Sequence, residues 1–187
     1  MPVVVGAGAA GPPKWAVRAA HAAALCAVPS GLWRIALGLG VPVGFSEAWL
    51  RSAGLPGWET VKVVALSVGV EVLALLTLGL VRRWGEVVPS WVPVLAGRPI
   101  PLLFAAVPAF CGAVALSAVT GVGAAQWGEA GVTADPGAPR GFAGAVMAAC
   151  YAPMMAWGPL LLAVTGSYCF RRLRRSPCTN GGGTASA

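Results

Sequence analysis

The sequence predicts an all-α protein, a polytopic transmembrane helical bundle of about four spans with both termini cytoplasmic. Three observations predict it. Of 187 residues, 57% are hydrophobic and only 10% charged, against roughly 25% charge in a soluble domain. No residue between Arg98 and Glu129 carries a formal charge, and none between Arg140 and Arg171 does. Each gap exceeds the about 20 apolar residues that cross a hydrocarbon core of roughly 30 Å. Finally, the remaining cations flank apolar segments, so the net charge of +7 reads as membrane topology rather than as a nucleic-acid footprint.

Taken in order, residues 1–14 form an N-terminal tail, expected to be flexible. Gly6, Gly8 and Gly11 match G-x-G-x-x-G by letter, but Pro12 and Pro13 follow at once and no acidic residue appears before Glu47. A dinucleotide site needs a helix opening at those glycines, so the match is discarded. One transmembrane domain is expected over 15–175. Its first span runs about 19–43, after Lys14, Trp15 and Arg18, with a kink near Pro29 where the ring removes a backbone donor. A cleaved signal peptide is the competing reading, but apolar character continues past Pro29-Ser30-Gly31 to Phe45, too far for one.

A polar connection from Ser46 to Thr60 leads to the second span, about 61–81. The segment from Arg82 to Pro99 carries Trp84 and Trp91 among prolines and is expected to lie along the interface, its indoles at headgroup depth. The third span covers about 100–122. After a loop rich in Gly, Ala and Pro, the fourth covers about 142–170, bent at Pro153 and at Gly158-Pro159. Residues 176–187 are polar and of low complexity, a disordered cytoplasmic tail.

Orientation follows from the cations. With both termini inside, the cytoplasmic face holds Lys14, Arg18, Arg82, Arg83, Arg98, Arg171, Arg172, Arg174 and Arg175, and the outer face holds Arg51, Lys62 and Arg140. That is the positive-inside asymmetry. Arg171, Arg172, Arg174 and Arg175, like Trp84 and Trp91, are candidate interfacial anchors, the arginines against anionic lipid headgroups at about 1 kcal/mol each.

Arg34 and Glu71 are the charges that fall deep inside spans, Lys62 lying at the outer edge of the second. Counted from Val43 and Val61, they lie about 14 and about 15 Å below the same boundary. A lone ion at mid-membrane costs about 2.5–3.5 kcal/mol on insertion scales. The sequence therefore predicts an intramembrane Arg34–Glu71 ion pair facing the bundle interior, either a structural clamp or a substrate or proton site. The competing placement has Arg34 snorkelling outward toward Glu47 or Glu59.

No catalytic, cofactor-binding or metal-binding residues are nominated. His21 is the only histidine, the five cysteines show no C-x-x-C, and no serine sits in a nucleophile motif. Small residues recur every four positions at Ala105, Ala109, Ala113, Ser117 and Gly121, and at Gly144, Ala148, Ala152 and Ala156. They suggest that the third and fourth spans pack closely, with Gly40-x-x-x-Gly44 as an oligomer contact.

At Trp84-Gly85-Glu86-Val87-Val88-Pro89, Trp91-Val92-Pro93 and Pro29-Ser30-Gly31-Leu32-Trp33-Arg34, the chain resembles the uncharacterised small multi-span membrane proteins of high-GC actinobacteria. The resemblance implies a bacterial plasma membrane and supplies no ligand or catalytic residues. The expectation is a non-enzymatic scaffold or accessory subunit without cofactor. The lipid bilayer is its main partner, with a membrane-protein partner or a second copy beside it. The alternative is a small transporter or channel subunit using Arg34 and Glu71.

Overall fold

The computed structural model of the chain describes residues 11–82 and 100–174. Every regular element among them is helical: α1 (Lys14–Gly38), α2 (Glu47–Ser52), α3 (Trp58–Leu76), α4 (Leu102–Ala125), α5 (Gly141–Tyr151) and α6 (Met154–Arg174). Counting α3 with its 3-10 extension Thr77–Leu80, and α5 with α6, four helical units are long and apolar enough to cross a membrane. The all-α class and the count of about four spans read from the sequence stand.

Helix α1 opens on Pro13, whose carbonyl accepts from the amides of Ala16 and Val17. Proline suits a helix start, where its missing N–H leaves no bond unmade. The helix runs unbroken through Pro29 and stops at Gly38, five residues short of the expected end. Gly40 and Gly44 take φ of 86° and 94°, and Val43 takes 42°. The stretch after Gly38 is thus a turn-rich loop made of apolar residues, and Gly40 and Gly44 lie in that loop rather than on a helix face.

Helix α2 sits in what the sequence presents as a plain connection. Ser46 caps it by accepting from the Trp49 amide at 3.2 Å, and Glu47 lies in its first turn, where the helix dipole favours an anion. Helix α3 is fastened to α1 at its start. Thr60 Oγ1 accepts from the Gly57 amide at 3.0 Å and donates to the Gly38 carbonyl at 2.6 Å. Its last turn tightens into the 3-10 form, a common way to end a helix. The fourth span is two helices separated at Ala152-Pro153, as Pro153 predicts, while Pro159 lies within α6 without ending it.

Packing is antiparallel and in the lateral order α3, α1, α6, α4. Helices α1 and α6 are central; among the described residues, α3 and α4 share no packed face. Three buried clusters stack along the long axis. One, at the end holding the N-terminus of α1 and the C-terminus of α6, joins Ala16 and Ala20 to Leu80, Val164 and Tyr168. The middle one joins Ala23 and Ala27 to Ala74 and Trp157. The third, at the far end, joins Leu37, Phe45, Leu50 and Met147.

Helix α1 packs through a face of small residues, Ala16, Ala20, Ala23, Ala27 and Gly31, all buried. Spacing of three and four keeps them on one face, and without large side chains the neighbouring backbones approach. Helices α4 and α6 pack together as expected. Ala113 and Ser117 of the α4 ladder meet Gly158, where any Cβ would collide with Ser117 Oγ and crowd the Ala113 carbonyl. On the fourth span, Ala152 and Ala156 are exposed. Gly158, two residues past that ladder, makes the contact instead.

The outer faces of α3 and α4 are apolar and bare: Phe104 is 76% exposed, Leu103 70% and Leu66 62%. Patches of this extent are foreign to a soluble monomer and are what lipid-facing helices present. The expected tails fall outside the described residues except for 11–14, and Lys14 already belongs to α1. Trp84, Trp91 and Arg175 also lie outside the described residues.

Candidate functional site

Arg34 and Glu71 face each other's helices, but one turn out of step. Arg34 Nε donates to Ser67 Oγ at 3.2 Å, and Ser67 Oγ donates on to the Val63 carbonyl at 2.8 Å. Glu71 lies four residues further along α3, about 6 Å deeper, where its Oε1 presses on Gly31. Among the described residues the ion pairs are Arg51–Glu47 and Lys62–Glu59, both exposed. No nitrogen of Arg34 comes within the 4.0 Å of a Glu71 oxygen that an ion pair requires.

The expected pair is therefore corrected, and its cause is the end of α1. With the helix closing at Gly38 instead of Val43, Arg34 lies four residues from its end, about 6 Å rather than about 14 Å. The snorkelling alternative fares no better, since Arg34 reaches Ser67 on the interior face.

Glu71 Oε1 is buried without a hydrogen-bond partner, as are Trp33 Nε1, Arg34 Nη2, Thr77 Oγ1 and Trp157 Nε1. The absence of a side chain at Gly31 is what admits the Glu71 carboxyl between α1 and α3. Gly31→Ala places a Cβ on that oxygen. The substitution is expected to destabilise the protein by about 1–3 kcal/mol, and Glu71→Ala in the same chain to recover most of the loss. Thermal unfolding in detergent of the two single variants and the double variant checks this.

Arg34 also lines a cavity of about 780 Å³ at the far end of the bundle. Its walls come from α1 (Trp33, Arg34), α2 (Trp49), the start of α3 and the end of α4. The α4–α5 loop adds Trp127, and α5 adds Tyr151. The Tyr151 phenol stands beside the Arg34 guanidinium. Among the described residues, Arg34 and Glu59 are the charged residues of the lining, and Glu59 is held by Lys62 at 2.7 Å. Glu71 is not part of it.

The arginines expected as headgroup anchors are used differently along α6. Arg171 donates to the Leu80 carbonyl at 2.8 Å, closing the orphan end of α3, and Arg172 donates to the Ile100 carbonyl just before α4 begins. Among the described ones, Arg174 is the arginine fully at the surface, its guanidinium 4.1 Å from the Phe170 ring centre. His21 is exposed and its Nδ1 bonds the Val17 carbonyl at 2.7 Å. Among the described residues no group of three or more His, Cys, Asp or Glu is placed to hold a metal.

Helix spacing alone did not reveal the Arg34–Ser67 contact, the Arg171 and Arg172 clamps or the cavity. The one available signal was Ser67, four residues before Glu71 on the same face. Together the fold and site define a helical protein with four units long and apolar enough to cross a membrane and a cavity lined by all four. Comparison with family models, curated proteins and solved structures finds no match to any of them.

Proposed function

We infer that the protein is a multi-pass protein of a bacterial plasma membrane, both termini cytoplasmic, acting as a non-enzymatic scaffold or accessory subunit. The observation that carries this reading is how the interior polar groups are used. Arg34 ties α1 to α3 through Ser67, Thr60 ties α3 to the end of α1, and Arg171 and Arg172 tie α6 to Leu80 and Ile100. Such contacts fix helix positions, while the apolar faces of α3 and α4 are left for lipid or a partner helix. The cation asymmetry of nine to three supports the orientation, and Arg174 remains for anionic headgroups.

A transporter or channel subunit working through an Arg34–Glu71 pair has less support, because the cavity takes in Arg34 and leaves out Glu71. The test is the particle recovered from native membranes in mild detergent. A scaffold is expected to resist alkaline carbonate extraction and to emerge in a complex of fixed stoichiometry, heavier than one chain. Recovery solely as single chains would contradict the scaffold reading, and release by carbonate would contradict the membrane reading.

A further inference from the structure

We propose that the far-end cavity binds one membrane lipid with an anionic headgroup, the headgroup on Arg34 and Tyr151 and the chains leaving between α3 and α4. The proposal rests on the membrane reading above and adds a ligand to it. At about 780 Å³ the space falls within the roughly 300–1,000 Å³ of small-molecule sites.

Its charge selects the headgroup. Lys62 offsets Glu59, which leaves Arg34 as the unbalanced charge of the lining. A guanidinium carries five N–H donors in a planar fork suited to phosphate. Arg34 uses Nε on Ser67, and Nη2 is buried without an acceptor. A buried donor left so costs more than one that meets an anion, and the Tyr151 hydroxyl beside it adds a second polar contact.

Its depth and shape select a lipid over a soluble anion. Arg34 lies one helical turn inside the end of α1, about 6 Å, and Trp49 and Trp127 line the same cavity. Indoles favour the level where headgroups meet chains. Val63 of α3 and Val119 and Gly123 of α4 face the space, and because those two helices do not pack on each other it opens sideways, toward the bilayer. Apolar walls with a lateral exit suit acyl chains; inorganic phosphate would leave them bare.

The test uses the full chain in a neutral detergent, titrated with lipids carrying brominated chains, which quench tryptophan on contact. Brominated phosphatidylglycerol is expected to quench at an about fivefold lower mole fraction than brominated phosphatidylcholine. Arg34→Gln removes that preference. Arg51→Gln, which deletes an exposed cation outside the cavity, keeps it. Excess inorganic phosphate does not compete.

Equal quenching by both lipids, loss of preference in Arg51→Gln, or competition by phosphate would each overturn the proposal, the last pointing to a soluble anion. Should Arg34→Gln fail to fold, Trp127→Phe and Trp58→Phe decide. The excess quenching by the anionic lipid shrinks in the first and persists in the second, whose indole is outside the lining; any other pattern overturns the assignment. A chain that needs no detergent refutes the membrane reading itself. A chain that needs it but is blind to the headgroup refutes the lipid site alone.

Discussion

Gly158→Leu is expected to destabilise the protein by about 3 kcal/mol, the upper end of what overpacking costs. At Gly158 the α4 backbone comes so near that the first added carbon meets Ser117 Oγ, with the Ala113 carbonyl and Ser117 amide each 3.0 Å from it. A hydroxyl can rotate away, although Ser117 Oγ would first lose its 2.8 Å bond to the Ala113 carbonyl. The backbone atoms cannot rotate, so the two helices must part along much of their length. Gly158→Ala tests the same contact at smaller scale, about 1 kcal/mol, and adding Ser117→Ala should recover part of that. Thermal unfolding in one detergent, with expression levels alongside, measures all three. Wild-type stability in Gly158→Leu would mean that α4 and α6 do not approach as described.

Arg171→Lys together with Arg172→Lys separates two roles for the arginines at the end of α6. If they served only as cationic anchors, lysine would keep the charge, the lipid attraction and the topology. The structure gives them a second role. Each guanidinium reaches a backbone carbonyl on another element, Leu80 at the end of α3 and Ile100 before α4. Lysine ends in a point charge and does not reproduce the fork. Hydrogen bonds to charged groups are worth about 1.5–3 kcal/mol each, so the double variant is expected to lose about 2–4 kcal/mol while its topology stays unchanged. Arg174→Lys, at the exposed end of the same helix, should lose almost nothing. Equal stability in the double variant and the wild type would reduce Arg171 and Arg172 to anchors.

The third and fourth spans were legible in the sequence because a long run free of charge is rare enough to stand out, and the first two, which carry Arg34 and Glu71, were legible from their apolar length. The end of α1 was not. Leu39 to Phe45 is as apolar as the helix before it, so hydropathy continues smoothly across a boundary drawn by backbone geometry at Gly40, Val43 and Gly44. That error of five residues carried through to Arg34 and created a level match with Glu71 that the structure does not hold. The α1 seam was readable in principle, since Ala16, Ala20, Ala23, Ala27 and Gly31 keep one face, but alanine is so common here that the seam has no contrast. Helix α2 left a trace in Ser46 and Glu47. The cavity left none, because its walls come from segments far apart in the chain, from Trp33 to Tyr151, and sequence periodicity reports one helix at a time.

The central claim is that four helical units cross a lipid bilayer, and cysteine accessibility in sealed membranes tests it most directly. Single cysteines are introduced as Ser52→Cys, Arg82→Cys or Glu129→Cys into a chain whose native cysteines are replaced by serine, and one further chain keeps only Cys111, an exposed residue midway along α4. A membrane-impermeant maleimide added from one side at a time should label positions 52 and 129 from one face and position 82 from the other. Cys111 should stay unlabelled until detergent is added. Labelling of positions 52 and 82 from the same face, or of Cys111 in intact membranes, would contradict the account.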